Sequence, residues 1–207
     1  MEENLKSIRF DGKEVVPSKI VCIGRNYVDH IKELDNEVPT SMVIFMKSNS
    51  SISEFLSTDV KDKIHYESEI SFLILDGKIH GVGFGLDLTK REIQNKLKEK
   101  GLPWERAKSF DGASVFSEFV TFDGDINSLS LKLTINDSLI QQGGVPLMIN
   151  TPREMIKEIE SFSSLFDNDI VMSGTPKGVG VITRGDKFLG QILSDGKILV
   201  EKEWIVK

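Results

Sequence analysis

The stretch that most limits how this chain can fold is Glu67-Ser68-Glu69-Ile70-Ser71-Phe72-Leu73-Ile74-Leu75, closed by Asp76-Gly77. The large apolar and β-branched residues followed by a turn dipeptide predict a strand that enters the core. Residues two apart on a strand face the same way, so Glu67 and Glu69 point to one side together, beside positions that must be buried. Paired carboxylates repel, and taking them out of water is unfavourable unless a cation compensates. A bound metal ion is the simplest compensation, and a solvated strand edge is the other reading. Further acid-x-acid pairs occur at Asp35/Glu37, Asp123/Asp125, Glu158/Glu160, Asp167/Asp169 and Glu201/Glu203. Those lie in loop-like or helical sequence or near a chain end, where water reaches both charges.

The length of 207 residues fits one domain spanning 1–207, with enough chain for a substantial core. A net charge of −6, with no cluster of Lys and Arg, argues against a nucleic-acid partner and for a small-molecule one. The single cysteine, Cys22, can form neither an internal disulfide nor a cysteine zinc site, which fits a reducing compartment. Met1-Glu2-Glu3-Asn4 lacks the basic start and apolar run of a signal peptide, and no apolar run reaches the ~20 residues of a membrane span. The expectation is a soluble, cytoplasmic protein with no membrane partner.

In chain order, Ser7 to Val16 alternates around Asp11-Gly12 like a hairpin, and Lys19 to Ile23 is a short strand ending at Gly24. Arg25 to Leu34 predicts a short helix capped by Asn26, on which His30 and Glu33 share a face. A carboxylate there can orient an imidazole for proton transfer; the plain alternative is an exposed histidine with an acidic neighbour. Thr40 to Lys47 reads as a strand, and Ser48-Asn49-Ser50-Ser51 as a mobile or substrate-facing loop. Gly81, Gly83 and Gly85 alternate along a strand and suggest close approach of another backbone; they do not match a dinucleotide fingerprint. Thr89-Lys90-Arg91-Glu92 predicts a capping box opening a helix that stops at Gly101. Asp87 therefore ends a strand just before a helix, where it either favours the helix dipole or joins Glu67 and Glu69 as a third oxygen ligand.

Lys108 follows the turn Gly101-Leu102-Pro103-Trp104 and by itself reads as a solvated charge. Strands are expected over Phe116 to Phe122, Leu129 to Asn136 and Leu139 to Gln142, with a turn near Asn136-Asp137. Thr151-Pro152-Arg153-Glu154 is a second capping box, opening a helix that buries Met155, Ile156, Ile159 and Phe162. Asp169 to Ser173 is a strand running into Gly174-Thr175-Pro176-Lys177-Gly178-Val179-Gly180. That loop is no P-loop, but its N–H groups and the Thr175 hydroxyl could face an anionic ligand. The remainder reads as a closing pair of strands.

Five of these stretches, in this order, resemble the fumarylacetoacetate hydrolase superfamily. They are Gly24-Arg25-Asn26-Tyr27-Val28-Asp29-His30-Ile31-Lys32-Glu33, His65-Tyr66-Glu67-Ser68-Glu69, Leu86-Asp87-Leu88-Thr89-Lys90-Arg91-Glu92-Ile93-Gln94, Lys108-Ser109-Phe110-Asp111 and Gly174 to Gly180. The run Lys98-Glu99-Lys100-Gly101-Leu102-Pro103-Trp104 with Ala107-Lys108-Ser109-Phe110 is most similar to the acylpyruvase and oxaloacetate decarboxylase branch. The resemblance implies an α+β fold, a mixed β-sheet roll with a few short helices, assembled as a homodimer. It implies metal ligands at Glu67, Glu69 and Asp87 and a water-activating dyad at His30 and Glu33 on a lid segment. Lys108 would stabilise charge, and Arg25, Tyr27, Gln94 and Thr175 would bind substrate. The sequence departs from the family pattern in three places: a shortened segment between Phe72 and Gly83, a loop from Asp111 to Phe116 without proline, and Ser48 where proline often follows Phe-x-Lys.

An all-oxygen ligand set suits one Mg²⁺ or Mn²⁺ per site. The resemblance then implies hydrolysis of a C–C bond in acylpyruvates such as fumarylpyruvate, with decarboxylation of oxaloacetate open to the same site. Isomerisation of 2-hydroxyhepta-2,4-diene-1,7-dioate or hydration of a 2-oxo-diene acid is the alternative among enzymes. A metal-binding protein without catalysis is the alternative of another class, and it would need neither His30 nor Glu33.

Overall fold

A computed structural model describes residues 5–33, 39–58 and 61–207. Met1 to Asn4, Leu34 and the Asp35/Glu37 pair, all read above, lie outside the described residues. The chain starts with strands β1 (Ile8–Phe10), β2 (Lys13–Val15) and β3 (Lys19–Gly24), helix α1 (Val28–Glu33) and strands β4 (Val43–Ser48) and β5 (Ile52–Ser53). The acidic stretch follows as β6 (Ile64–Tyr66), β7 (Ser68–Leu75), β8 (Lys78–Asp87) and β9 (Thr89–Lys90). Helices α2 (Arg91–Glu99) and α3 (Glu105–Lys108) lead to β10 (Ser114–Phe116), β11 (Val120–Thr121), β12 (Leu129–Ile135) and β13 (Ser138–Gly144). Last come α4 (Pro152–Glu160), β14 (Ile170–Met172), β15 (Gly180–Val181), β16 (Lys187–Ser194) and β17 (Lys197–Ile205).

The main sheet runs β4-β3-β14-β7-β8-β10-β5, with β11 also paired to β8. It is mixed, since β14 lies parallel to β3 and β10 to β5 while the other pairs are antiparallel. A second sheet, β13-β12-β16-β17, packs on it, and Phe72 and Phe84 share one core cluster with Leu131, Phe188 and Ile192. The expected α+β roll with few helices is what forms. Its centre is β7, whose residues Ser68 to Ile74 are all buried. A strand covered on both faces reads as a continuous apolar run rather than an alternation. This is why the carboxylate of Glu69 is carried into the interior.

Between Phe72 and Gly83 the chain turns directly from β7 into β8 through Asp76 and Gly77, both at positive φ (50° and 68°). That two-residue turn matches the twist of the flanking strands, and it leaves no room for a helix in the shortened segment. Backbone comes close at one of the β8 glycines, since a Cβ on Gly81 would meet the Val120 carbonyl oxygen at 3.4 Å as well as Phe10; at Gly83 it is a side chain that fills the space, the Phe119 ring 3.0 Å away.

Several local expectations are corrected. Asn26 does not cap α1; its buried amide donates to the carbonyls of Asn150 and Ser173 and its oxygen accepts from the Asn150 N–H, tying three segments together. The capping box at Thr89 is not formed, because Thr89 belongs to β9 and its hydroxyl accepts from Lys108 instead, so α2 starts from Lys90 without a side-chain cap. The Thr151/Glu154 box does form. Phe162, expected on the buried face of α4, lies beyond the helix end and is 56% exposed. The strand expected over Phe116 to Phe122 is broken into β10 and β11, and the Ser117 hydroxyl between them accepts from the Phe84 N–H. Ser48 to Ser51 is not a free loop: Asn49 and Ser51 are buried in a short 3-10 turn, and the Ser48 N–H donates to the Ser109 hydroxyl. A proline at position 48 would have no N–H for that bond.

Candidate active site

The register of the β7–β8 hairpin pairs Ser68 with Leu86 and Glu69 with Gly85, and the Asp87 N–H donates to the Glu67 carbonyl. This brings Glu67, Glu69 and Asp87 to one end of the hairpin, with carboxylate oxygens within 4.8 Å of one another and all three residues buried. The solvated-edge reading of the pair is thereby excluded.

Cations meet these charges. Lys108 places its ammonium 2.8 Å from Glu67 Oε2, 2.6 Å from Asp87 Oδ2 and 2.7 Å from Thr89 Oγ1. Arg91 donates to Glu67 Oε1, and also to Gln94 Oε1 at 2.8 Å. Lys47 is fully buried, with Nζ 2.8 Å from Asp87 Oδ1 and 2.7 Å from the Ala113 carbonyl. Sequence reasoning missed Lys47 and Arg91 as parts of this cluster. Lys47 is the last residue of the strand expected over Thr40 to Lys47 and Arg91 follows a presumed cap, so neither position names a partner, and only long-range pairing reveals it.

Glu69 is treated differently from its neighbours. Its Oε2 accepts one bond, 2.7 Å, from the Gly174 N–H, and no lysine or arginine bonds to it among the described residues. Burial first, and then the charges of Asp87 and Glu67, hold its carboxyl well above the usual range. Burial would also raise Glu67, but Lys108 and Arg91 outweigh it and hold that carboxyl well below. For Lys108, burial pulls down while Asp87 and Glu67 push up, with a net rise that keeps it charged. The local imbalance therefore sits at Glu69, where one more cation would relieve it. The donor set is all oxygen and buried, which fits a hard divalent ion such as Mg²⁺ or Mn²⁺.

Above the carboxylates, His30 is buried and lines the same cavity, which encloses about 40 Å³. Its Nδ1 lies 3.1 Å from Glu33 Oε2, and the other oxygen of Glu33 accepts from the Gly178 N–H at 2.9 Å. The expected pairing on α1 is thus present, and it is tied to the loop from Gly174 to Gly180. The N–H groups of Gly174 and Gly178 are spent on Glu69 and Glu33, so they are not the open anion cradle expected from the sequence. Thr175 lines the cavity with its hydroxyl accepting from Gln141 at 2.9 Å. Gln141, a buried residue that no motif singles out, also accepts from the Ser68 N–H and so links this loop to β7.

Arg25 and Gln94 line the cavity. Tyr27 does not: it is buried, and its hydroxyl donates to the Gly144 carbonyl 3.4 Å away, which makes it a packing residue here. Burial, and then Glu69, raise its hydroxyl well beyond the usual range, so it stays protonated. Cys22 is buried behind the cluster, and burial followed by Asp87 keeps its thiol protonated.

Comparisons with known proteins identify the family. The sequence profile described as fumarylacetoacetate (FAA) hydrolase C-terminal matches residues 19–202. An oxaloacetate tautomerase of Escherichia coli is 35% identical over 189 residues, covering 82% of this chain and 86% of that protein. Among solved structures, a putative fumarylacetoacetate isomerase/hydrolase from Oleispira antarctica superposes with a TM-score of 0.92 at 34% identity, covering 98% of this chain and all (100%) of the other. A fumarylpyruvate hydrolase from Pseudomonas aeruginosa, in complex with Mn²⁺ and pyruvate, gives a TM-score of 0.89 at 25% identity, covering 100% of this chain and 97% of that one. The chain belongs to the fumarylacetoacetate hydrolase family.

Proposed function

We propose that this protein is a divalent-metal-dependent enzyme that carries a short α-keto acid through its enolate, with keto–enol tautomerisation of oxaloacetate as the principal reaction. The observation that carries the reading is the convergence of Glu67, Glu69 and Asp87 beneath a His30 already oriented by Glu33. Support also comes from a relative named as an oxaloacetate tautomerase at about one-third identity over most of both chains. Glu67, Glu69 and Asp87 hold the ion, Mg²⁺ or Mn²⁺, which when bound supplies positive charge opposite the oxygens on which enolate charge develops.

With Nδ1 held by Glu33, His30 has Nε2 available to take a proton. In the tautomerase reading it removes a C3 proton from oxaloacetate and returns one proton to the keto oxygen, so a C–H bond is exchanged for an O–H bond. Lys108, whose three N–H donors are taken by Glu67, Asp87 and Thr89, stabilises the developing oxyanion through its positive charge. Gln94 and Thr175 position the substrate, while Tyr27 acts beneath the site by packing.

Hydrolysis of acylpyruvates is the second reading, favoured by the same imidazole–carboxylate pair. His30 then takes a proton from water, the hydroxide adds to the distal carbonyl, the C–C bond breaks, and pyruvate leaves as its enolate to be reprotonated. Decarboxylation of oxaloacetate reaches that enolate by losing CO₂ and needs no base. Homodimeric assembly and a cytoplasmic location are part of the proposal; light scattering of the purified protein and fractionation of cells test them.

The functional test is a panel of oxaloacetate, acetylpyruvate, fumarylpyruvate and a 2-hydroxymuconate-type acid with Mg²⁺, Mn²⁺ or chelator. Enol absorbance, CO₂ release and pyruvate formation are followed separately. The expected result is chelator-sensitive interconversion of oxaloacetate faster than its decarboxylation. No metal-dependent rate above buffer on any of the four would overturn the proposal.

A further inference from the structure

The cations around the cavity fall into two groups. Lys47, Arg91 and Lys108 are each set against carboxylate oxygens of Glu67 or Asp87. Arg25 and Lys98 line the same cavity but bond to no carboxylate among the described residues.

Lys98 reaches this position through the geometry of α2. Arg91, Gln94 and Lys98 are spaced i, i+3 and i+7, so they fall on one face of the helix, and all three line the cavity. Lys98 is partly buried there. A lysine in the last turn of a helix also complements the helix dipole, but exposed Lys96 in the same turn does that while facing water. The dipole therefore does not account for the inward placement of Lys98. Burial and then the nearby charge of Arg25 hold the Lys98 ammonium below the usual lysine range, which places the two cations within each other's field.

Arg25 is further marked by its backbone. It is a non-glycine residue in the left-handed region, at φ 56°. Such a conformation persists only where surrounding structure enforces it. Here it follows Gly24 at the end of β3, and Arg25 lines the cavity.

Two unneutralised cations facing one small cavity form a receptor for an anion. We infer that Lys98, together with Arg25, forms a subsite for the second carboxylate of a dicarboxylic substrate, and so selects four-carbon keto diacids over keto acids that end in an apolar group. This deepens the proposed function and rests on it for the identity of the reacting end. Arg25 and Lys98 line the same cavity as the three carboxylates, so a short keto acid whose head was held by Glu67, Glu69 and Asp87 would have its far end within the same cavity as these two cations. In oxaloacetate that end is a carboxylate.

The test uses two ligands of matched skeleton, malate and 2-hydroxybutanoate, which differ by a carboxylate in place of a methyl group. Their affinities for the Mn²⁺-loaded protein are measured by calorimetry, beside the KM for oxaloacetate. The wild type is expected to prefer malate. Lys98→Met should lower that preference by about five- to tenfold, leave 2-hydroxybutanoate unchanged and raise the KM more than it lowers kcat. Lys98→Arg should keep the preference, and Arg25→Met should reduce it further.

An equal change for both ligands in Lys98→Met, or an unchanged ratio in the Lys98→Met/Arg25→Met double variant, would overturn the subsite. So would failure of the wild type to distinguish the two acids. If the loaded wild type discriminates as described and turns over no oxaloacetate, the tautomerase reading falls and the subsite stands. If it turns over oxaloacetate and Lys98→Met leaves the ratio unchanged, the subsite alone falls.

Discussion

The carboxylate floor of the cavity and its imidazole roof are built in opposite ways. Glu67, Glu69 and Asp87 are carried by, or directly adjoin, the central hairpin β7–β8, and every one is buried. His30 and Glu33 sit on α1, a helix of six residues in which only His30 and Ile31 are buried. A helix that short has no independent stability. Besides its packing, α1 is attached to the Gly174–Gly180 loop by the Glu33 bond to the Gly178 N–H and by an exposed ion pair, 3.4 Å, between Lys177 and Asp29. An ion site needs fixed oxygens, whereas a group that exchanges protons with a substrate must let that substrate in. Under the proposed function, the floor is the part that tolerates no adjustment, and the roof, held by fewer attachments, is the part that would admit substrate.

This contrast can be broken most severely at Glu69. Glu69→Ala should abolish metal binding and reduce turnover at least ~10³-fold, because the one carboxylate without a cation partner is the one an ion most needs. Full activity of this variant in metal-free buffer would sink the metal proposal. Next in size is Lys47→Met, which leaves Asp87 buried beside two other carboxylates without one of its cations. Loss of one member of a buried pair costs about 3–5 kcal/mol, so the denaturant midpoint should fall sharply even in the absence of substrate. A midpoint equal to that of the wild type would mean Lys47 is only filling space.

On the roof, His30→Ala should slow tautomerisation or hydrolysis by about 10²–10⁴-fold with metal affinity unchanged. Decarboxylation of oxaloacetate should be far less affected, because loss of CO₂ requires no base. Equal slowing of all three reactions would show that His30 acts through structure instead.

The smallest effect expected is on pH. Glu69 has a raised carboxyl, so in the metal-free protein its contribution to stability is present below the ordinary glutamate range near about 4.3 and is lost as pH rises through the raised value. Glu67, held low, works the other way: its contribution is present above the ordinary range and is lost as pH falls through the depressed value. Binding of the ion must displace the proton of Glu69, so metal affinity should rise with pH and a proton should be released. Calorimetric titration in buffers of different ionisation enthalpy measures that proton, and its absence would contradict the charge imbalance described at Glu69.

The floor was more legible in the sequence than its surroundings. An acidic pair leading into an uninterrupted apolar strand marks Glu67 and Glu69 as candidates, Asp87 at the next strand end is open to two roles, and the family resemblance is what joins the three as ligands. The turns at Asp11-Gly12, Asp76-Gly77 and Asn136-Asp137 were legible for a local reason as well, since these residue types tolerate positive φ. What escaped were interactions between distant parts of the chain. Lys47 meets Asp87 across 40 positions, Gln141 meets Ser68 across 73 and Thr175 across 34, and Asn26 meets Asn150 across 124. None leaves a periodic trace. The same competition explains the errors: Thr89 and Asn26 have the side chains of helix caps, but buried partners elsewhere in the fold claim those side chains first.

The division between floor and roof is tested most directly by Mn²⁺ titration of the wild type, Glu69→Ala and His30→Ala under one set of conditions. The expected result is a single saturable site in the wild type, the same affinity in His30→Ala, and no measurable site in Glu69→Ala. Retained affinity in Glu69→Ala, or its loss in His30→Ala, would contradict the assignment of ion binding to the buried carboxylates and of proton transfer to α1.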